Sequence, residues 1–310
     1  MPGSHLLGVR ARLPSGALPP PSGQTTSISF VGKSGLAVAG GGLANFELLY
    51  NNGLIDVRGD ANPTITTVNG PLSNWTSGQG ISGTVSQSTE SFRPSHVDAS
   101  DVVSITGSTA SNDTTNGKWL SISNLASRYT STPNALGVSY MLVRFPTLPT
   151  WNTVLFQVGV NSSTYTNRDR LRYIVILTAT QWFVARGTNT SAQQATLGTR
   201  PAANEWVALA HVINDDRTTP GTSDNISRLF LKTKPGGTYA TMQQLNTSAL
   251  SLTGTWTGAE ATINRVRWNN SASTEGLGNF DLHSYGFDAI PPTTNAGIEA
   301  NLDRLLSRVP

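Results

Sequence analysis

The residues of this chain best suited to proton transfer near neutral pH are its four histidines, His5, His96, His211 and His283, which lie far apart in sequence. His211 stands between Ala210 and Val212 in an apolar run, and such a residue reads first as a hydrogen-bonded core histidine. His283, in Leu282-His283-Ser284-Tyr285, reads the same way, and the sequence leaves a pairing of the two in space open. A Ser-His-Asp triad is a matter of three-dimensional geometry, and in a chain this rich in Ser any histidine would find a hydroxyl. The nearest acidic pairs are Asp215-Asp216 and Glu275 with Asp281. Glycoside hydrolysis needs two carboxylates facing each other across the scissile bond, whereas adjacent strand residues point to opposite faces. Neither pair is therefore read as catalytic.

Other side chains could bind without reacting. Asn214, Asp215, Asp216 and Asp224 gather oxygen ligands of the kind calcium takes into the polar loop 214–225. An acidic turn that keeps the loop solvated is the default reading, so no cofactor is expected and calcium is the sole candidate. Seven tryptophans could stack on sugar rings where exposed. Trp75, Trp119, Trp151, Trp182, Trp206 and Trp268 read as core by default. Trp256, flanked by Thr255 and Thr257 in a Gly-bounded loop, is the candidate glycan-binding residue. Arg58-Gly59-Asp60 falls in a Gly-rich hairpin region and reads as a turn. Glycosylation acceptor patterns such as Asn74 and Asn112 are what chance gives in a chain this rich in Asn, Ser and Thr.

Composition narrows the classes. With no cysteine there is no disulfide framework, thiol nucleophile or cysteine-based zinc site. The 21 basic residues exceed the 18 acidic ones only slightly and form no run. The local group Arg168, Arg170 and Arg172 reads as a solvated face, so no nucleic-acid partner is expected. No stretch reaches the roughly 18 apolar residues that cross a bilayer, and no membrane insertion is expected. Met1 to Gln24 lacks an apolar run of about seven residues followed by a small-residue cleavage site, and does not read as a signal peptide.

The elements that must position these residues are strands. Only 13% of the chain is charged, and uncharged Ser, Thr, Asn and Gly fill that share, a composition that suits strand surfaces and tight turns. Residues 1–24, with Pro14, Pro19, Pro20 and Pro21, are restricted to extended backbone and read as an assembly arm laid against a neighbouring subunit. Residues 25–114 read as a small β-domain and linker, with strands over Ser27–Val31, Leu36–Ala39, Phe46–Tyr50 and Leu54–Arg58 and a hairpin signal at Asn51-Asn52-Gly53. Pro71 to Ser100 is either a long surface connection or weakly patterned strands. Residues 115–310 carry nine evenly spaced strands: Trp119–Ile122, Ala135–Phe145, Thr153–Val160, Leu171–Thr178, Gln181–Arg186, Glu205–Ile213, Ile226–Thr233, Ala261–Trp268 and Asp281–Phe287. That pattern implies a sandwich or barrel. The nearly continuous apolar run Leu171–Leu177 suits a central strand. Thr293 or Thr294 can cap a terminal helix with Ile298, Leu302, Leu305 and Leu306 at helical spacing.

Two stretches carry a family resemblance. Glu205-Trp206-Val207-Ala208-Leu209-Ala210-His211-Val212-Ile213, then Arg228-Leu229-Phe230-Leu231-Lys232 and the turn Pro235-Gly236-Gly237, resembles the strand, loop, strand and Gly-containing turn of laminin-G-like and concanavalin-like domains. Gly278 to Asp288 followed by the helix resembles the segment that closes such modules. The resemblance covers about residues 115–310 and implies an all-β fold: an antiparallel jelly-roll sandwich preceded by the arm and small β-domain and followed by a short C-terminal helix. Glycosidases of this family carry a strand with Glu, Asp and Glu at alternating positions, and the alginate-lyase branch carries a paired Arg-Glu strand and a Gln-Ile-His segment; neither pattern occurs in this sequence.

The expected function is therefore non-catalytic. The composition and the Pro-rich arm fit a bacteriophage virion surface protein, such as a capsid decoration, head-fibre or tail-associated protein, anchored by its N-terminal part and displaying a lectin-like sandwich. Its expected partners are other virion proteins, further copies of itself and a cell-surface glycan. An extracellular bacterial carbohydrate-binding lectin module is the alternative, and a polysaccharide-degrading enzyme ranks below both.

Overall fold

The computed structural model of the chain describes residues 30–31, 37–38, 46–49, 74–76, 84–86, 93–97, 102–107, 118–122, 137–150, 152–160, 171–187, 192–215, 226–247, 259–264, 275–276, 278–288, 292, 294–307 and 309. In chain order the strands are β1 (Phe30–Val31), β2 (Ala37–Val38), β3 (Phe46–Leu49), β4 (Asn74–Thr76), β5 (Thr84–Ser86), β6 (Ser95–Val97), β7 (Val102–Ile105), β8 (Leu120–Ile122), β9 (Gly137–Arg144) and β10 (Asn152–Val160). They continue as β11 (Leu171–Leu177), β12 (Trp182–Gly187), β13 (Ala192–Leu197), β14 (Trp206–Asp215), β15 (Ile226–Thr233), β16 (Gln243–Asn246), β17 (Ala259–Ile263), β18 (Glu275–Gly276) and β19 (Phe280–Asp288). One helix, α1 (Asn295–Leu306), follows.

Apart from the small β1–β2 pair, these strands build two sheets. The first runs β13-β12-β11-β10-β17-β8-β5-β4, with β18 parallel to β10; the second runs β16-β15-β14-β9-β19-β7-β6, with β3 beside β19. All other pairings are antiparallel. The chain is thus an all-β antiparallel sandwich with one short terminal helix. β11 is bonded to β10 and β12, the central place its apolar run suggested. Strands from both sides of residue 114 share each sheet: β4 and β5 join β8, while β6, β7 and β3 reach β19. Pro71 to Ser100 contributes β4, β5 and β6, which is the strand alternative of its two readings. The arm, the Leu54–Arg58 run and the Asn51-Asn52-Gly53 turn lie outside the described residues.

The period of two sorts the second sheet's side chains. Met141 and Val143 of β9, Val207 and Leu209 of β14, and Leu229 and Leu231 of β15 face the first sheet. There they meet Phe156, Val158, Val175, Leu177, Trp182 and Val184 in one buried core. The intervening residues Tyr140 and Leu142, Ala208 and Ala210, and Phe230 face outward and are covered by α1. β15 is consequently buried along six consecutive positions, as a strand covered on both faces should be. The two small alanines leave room for the helix.

α1 forms where the sequence signals it. Thr294 is extended, and its hydroxyl accepts from the Gly297 N–H at 3.1 Å, satisfying a donor the first turn leaves open. Ile298, Leu302, Leu305 and Leu306 are fully buried against the sheet, each contributing about 1.5–3 kcal/mol by removal from water. Gly297 is required by close approach, since a Cβ there would fall 2.7 Å from Pro292 Cβ. Polar contacts fix the register: Asn301 Nδ2 donates to Tyr140 Oη at 3.2 Å, and Lys232 Nζ reaches Glu299 and Asp303, each at 2.7 Å. Burial would lower the Lys232 pKa, but the bonds to Asp303 and Glu299 outweigh it and hold the ammonium above the usual lysine value.

Candidate functional site

Beyond the helix, the outward face of the second sheet ends in a cluster of charged and aromatic side chains. In register, Arg144 at the end of β9 lies directly opposite Trp206 on β14 and Asp281 on β19. The three form a row across three neighbouring strands, at the spacing where opposed side chains interact. The Arg144 guanidinium lies over the Trp206 ring, 4.8 Å from its centroid. Its Nε and Nη2 both donate to Asp281 Oδ2, at 3.1 and 2.5 Å. The arginine side chain is 27% exposed and the aspartate 8%, so the pair sits at the surface with its carboxylate sunk beside the sheet.

A bulge adds the fourth member. The pairing of β19 with β9 shifts between Leu282 and Ser284, and an extra residue in a strand re-aims a side chain. His283, the residue inserted there, meets Trp206 edge-on at 6.0 Å and 88° and is buried. The row thus places guanidinium N–H donors and a carboxylate acceptor beside a partly buried indole, backed by an imidazole. Such a row can exchange hydrogen bonds with polar groups of a ligand beside an aromatic side chain.

A second polar group is sealed in the core. His211 Nε2 lies 2.6 Å from Ser227 Oγ, and Ser139 Oγ lies 3.2 Å from Tyr285 Oη. Phe156 of the opposite sheet packs edge-on to His211 and stacked on Tyr285. Desolvation lowers the His211 pKa to about 3, so the ring is neutral at physiological pH, and burial pushes the Tyr285 phenol far above its usual value. These are the hydrogen-bonded core residues that the default reading of His211 describes. They do not join His283, because His211 faces the core while His283 faces the Trp206 side.

The remaining sequence candidates separate. Trp256 and the arm residues Pro14, Pro19, Pro20 and Pro21 lie outside the described residues, as do Asp216 and Asp224 of the candidate calcium loop. Among the described residues no three His, Asp or Glu side chains gather as a metal site would need. Glu275 and Asp281, near in sequence, belong to different sheets. Trp182 is fully buried in the core, as its default reading had it, whereas Trp206 is partly buried. Sequence reasoning passed over Arg144; alternation along β9 puts it on the Leu142 face, but only the β9–β14 and β9–β19 registers reveal its partners. Among the described residues no helix is long and apolar enough to cross a membrane.

No protein-family profile and no curated protein sequence matches this chain. Among solved structures it is similar to the botulinum neurotoxin serotype D binding domain, at 6% identity and a TM-score of 0.43, over 83% of this chain and 51% of that one. It is similar also to the Ruminococcus gnavus IT-sialidase CBM40 bound to alpha2,3 sialyllactose, at 12% identity and a TM-score of 0.42, over 65% of this chain and 96% of that one. A third is the LG1-3 region of the laminin alpha2 chain, at 6% identity and a TM-score of 0.37, over 51% of this chain and only 29% of that one. The chain thus spans about half of the neurotoxin domain and under a third of the laminin region.

Proposed function

We propose that this chain is a non-catalytic carbohydrate-binding protein whose sandwich holds sugar at the corner formed by Arg144, Asp281 and Trp206. One observation carries the reading: a partly exposed arginine lies over an indole while paired with a carboxylate, so donors, an acceptor and an aromatic ring meet in one place. Those offerings suit a sugar, whose hydroxyls both donate and accept and whose ring C–H groups pack on aromatic side chains. A glycan array probed with the full chain tests it. The wild type should bind a defined set of glycans, and Trp206→Ala should lose them while Trp256→Ala keeps them. Loss on Trp256→Ala alone would move the site to the loop that the sequence suggests.

The proposal extends to a setting, the surface of a bacteriophage virion on its capsid or tail. The Pro-rich arm, residues 1–24, supports this as an anchor against other virion proteins or a second copy of the chain. Deleting residues 1–24 should lower incorporation into particles without changing glycan binding; unchanged incorporation would remove the arm from this role.

A further inference from the structure

The proposed site is not equally suited to all sugars, and the chemistry of the Arg144–Asp281 pair, taken with the carbohydrate reading above, narrows the class. A guanidinium has five N–H donors. Asp281 engages two of them, Nε–H and one on Nη2, and both bonds land on the same oxygen, Oδ2. The remaining donors and Oδ1 of Asp281 receive no partner among the described residues. The pair therefore holds uncommitted guanidinium donors beside an uncommitted carboxylate oxygen, the arginine side chain 27% and the aspartate 8% exposed, and its formal charges cancel.

We infer that the site selects an uncharged sugar presenting two adjacent free hydroxyls and discriminates against acidic sugars. A vicinal diol is matched to such a pair, because one hydroxyl accepts from the guanidinium while its neighbour donates to Oδ1. Each bond is charge-assisted on the protein side, the stronger kind. A sugar carboxylate or sulfate at this position can use the donors but offers no hydrogen to Oδ1, and a pair whose charges cancel gives no net attraction to offset stripping water from the anion. Trp206 does not discriminate between the two, since both present similar ring C–H surface. The cost of desolvating an anion beside a neutral pair is what separates them.

Calorimetry on the full chain with matched sugars tests this. Methyl glucoside, galactoside and mannoside serve as neutral probes, against the corresponding hexuronic acids. The best neutral probe should bind on the order of tenfold or more tightly than its uronic acid, a gap of about 1.4 kcal/mol or more. Removing either of two adjacent hydroxyls from that probe should weaken it by a similar factor. Asp281→Asn should weaken the neutral probe and close the gap to the uronic acid. Circular dichroism melting of that variant separates lost binding from lost folding, and the wild-type comparison stands without it. A uronic acid that binds as tightly as its neutral partner, or tighter, overturns the inference and leaves the carbohydrate reading standing. If neither class binds, nor any glycan on the array, the carbohydrate reading itself fails and the inference falls with it.

Discussion

His211 Nε2 lies 2.6 Å from Ser227 Oγ in the core between the two sheets, with the ring of Phe156 edge-on to the imidazole. Its folded pKa, about 3, lies below the 6.5 of an unperturbed histidine because burial disfavours the charged ring. The unfolded chain consequently takes up a proton that the folded one refuses. This contribution is fully present above pH 6.5 and is lost as pH falls from there toward 3, by on the order of a few kcal/mol. Urea midpoints measured across that range should fall steadily for the wild type and less steeply for His211→Gln. Parallel curves would show that the imidazole is not sealed from protons.

Lys232 is 5% exposed and forms ion pairs with Glu299, 39% exposed, and Asp303, 18% exposed. Because the carboxylates keep some water, removing the lysine should cost less than breaking a fully buried pair: about 1–2 kcal/mol for Lys232→Ala. Asp303→Asn should cost more than Glu299→Gln, in the order of their burial. Chemical denaturation of the three variants checks the order, and equal losses would assign the docking of α1 to its apolar face alone.

Asn264 is buried with a φ of 57°, a conformation that favours glycine or asparagine. Its side chain donates to Lys118 O at 2.8 Å and Gly278 O at 3.2 Å and accepts from Gly278 N at 2.9 Å, tying three segments together. Asn264→Gly keeps the backbone conformation and loses the bonds; Asn264→Ala loses both. Both should destabilise by about 2 kcal/mol or more, with alanine the worse by roughly 1 kcal/mol. A thermal melt in which alanine equals glycine would leave the left-handed conformation without an energetic role.

The sequence read well where a single element decides the pattern. The strand runs Glu205–Ile213 and Ile226–Thr233 and the capped spacing Thr294, Ile298, Leu302, Leu305 are local, and each appears where the residues suggest. β13 and β16 escaped notice because Gln193, Gln194, Gln243 and Gln244 carry no strand signal. Both lie at sheet edges, where polar residues suit exposed backbone. Long-range pairing was invisible: β3 joins β19 across more than 230 residues, and no local propensity encodes that choice. The site shows the same limit. Trp206 and Asp281 are conspicuous in the chain, but Arg144, the residue that stands between them, has meaning only once β9 is known to lie between β14 and β19.

The central claim, that sugar is held at the Arg144–Asp281–Trp206 corner, is most directly tested by hydrogen–deuterium exchange of the full chain with and without its best array glycan. Bound sugar should slow exchange in the peptides spanning 142–145, 204–208 and 280–284. Protection confined to other peptides, above all the one containing Trp256, would contradict it.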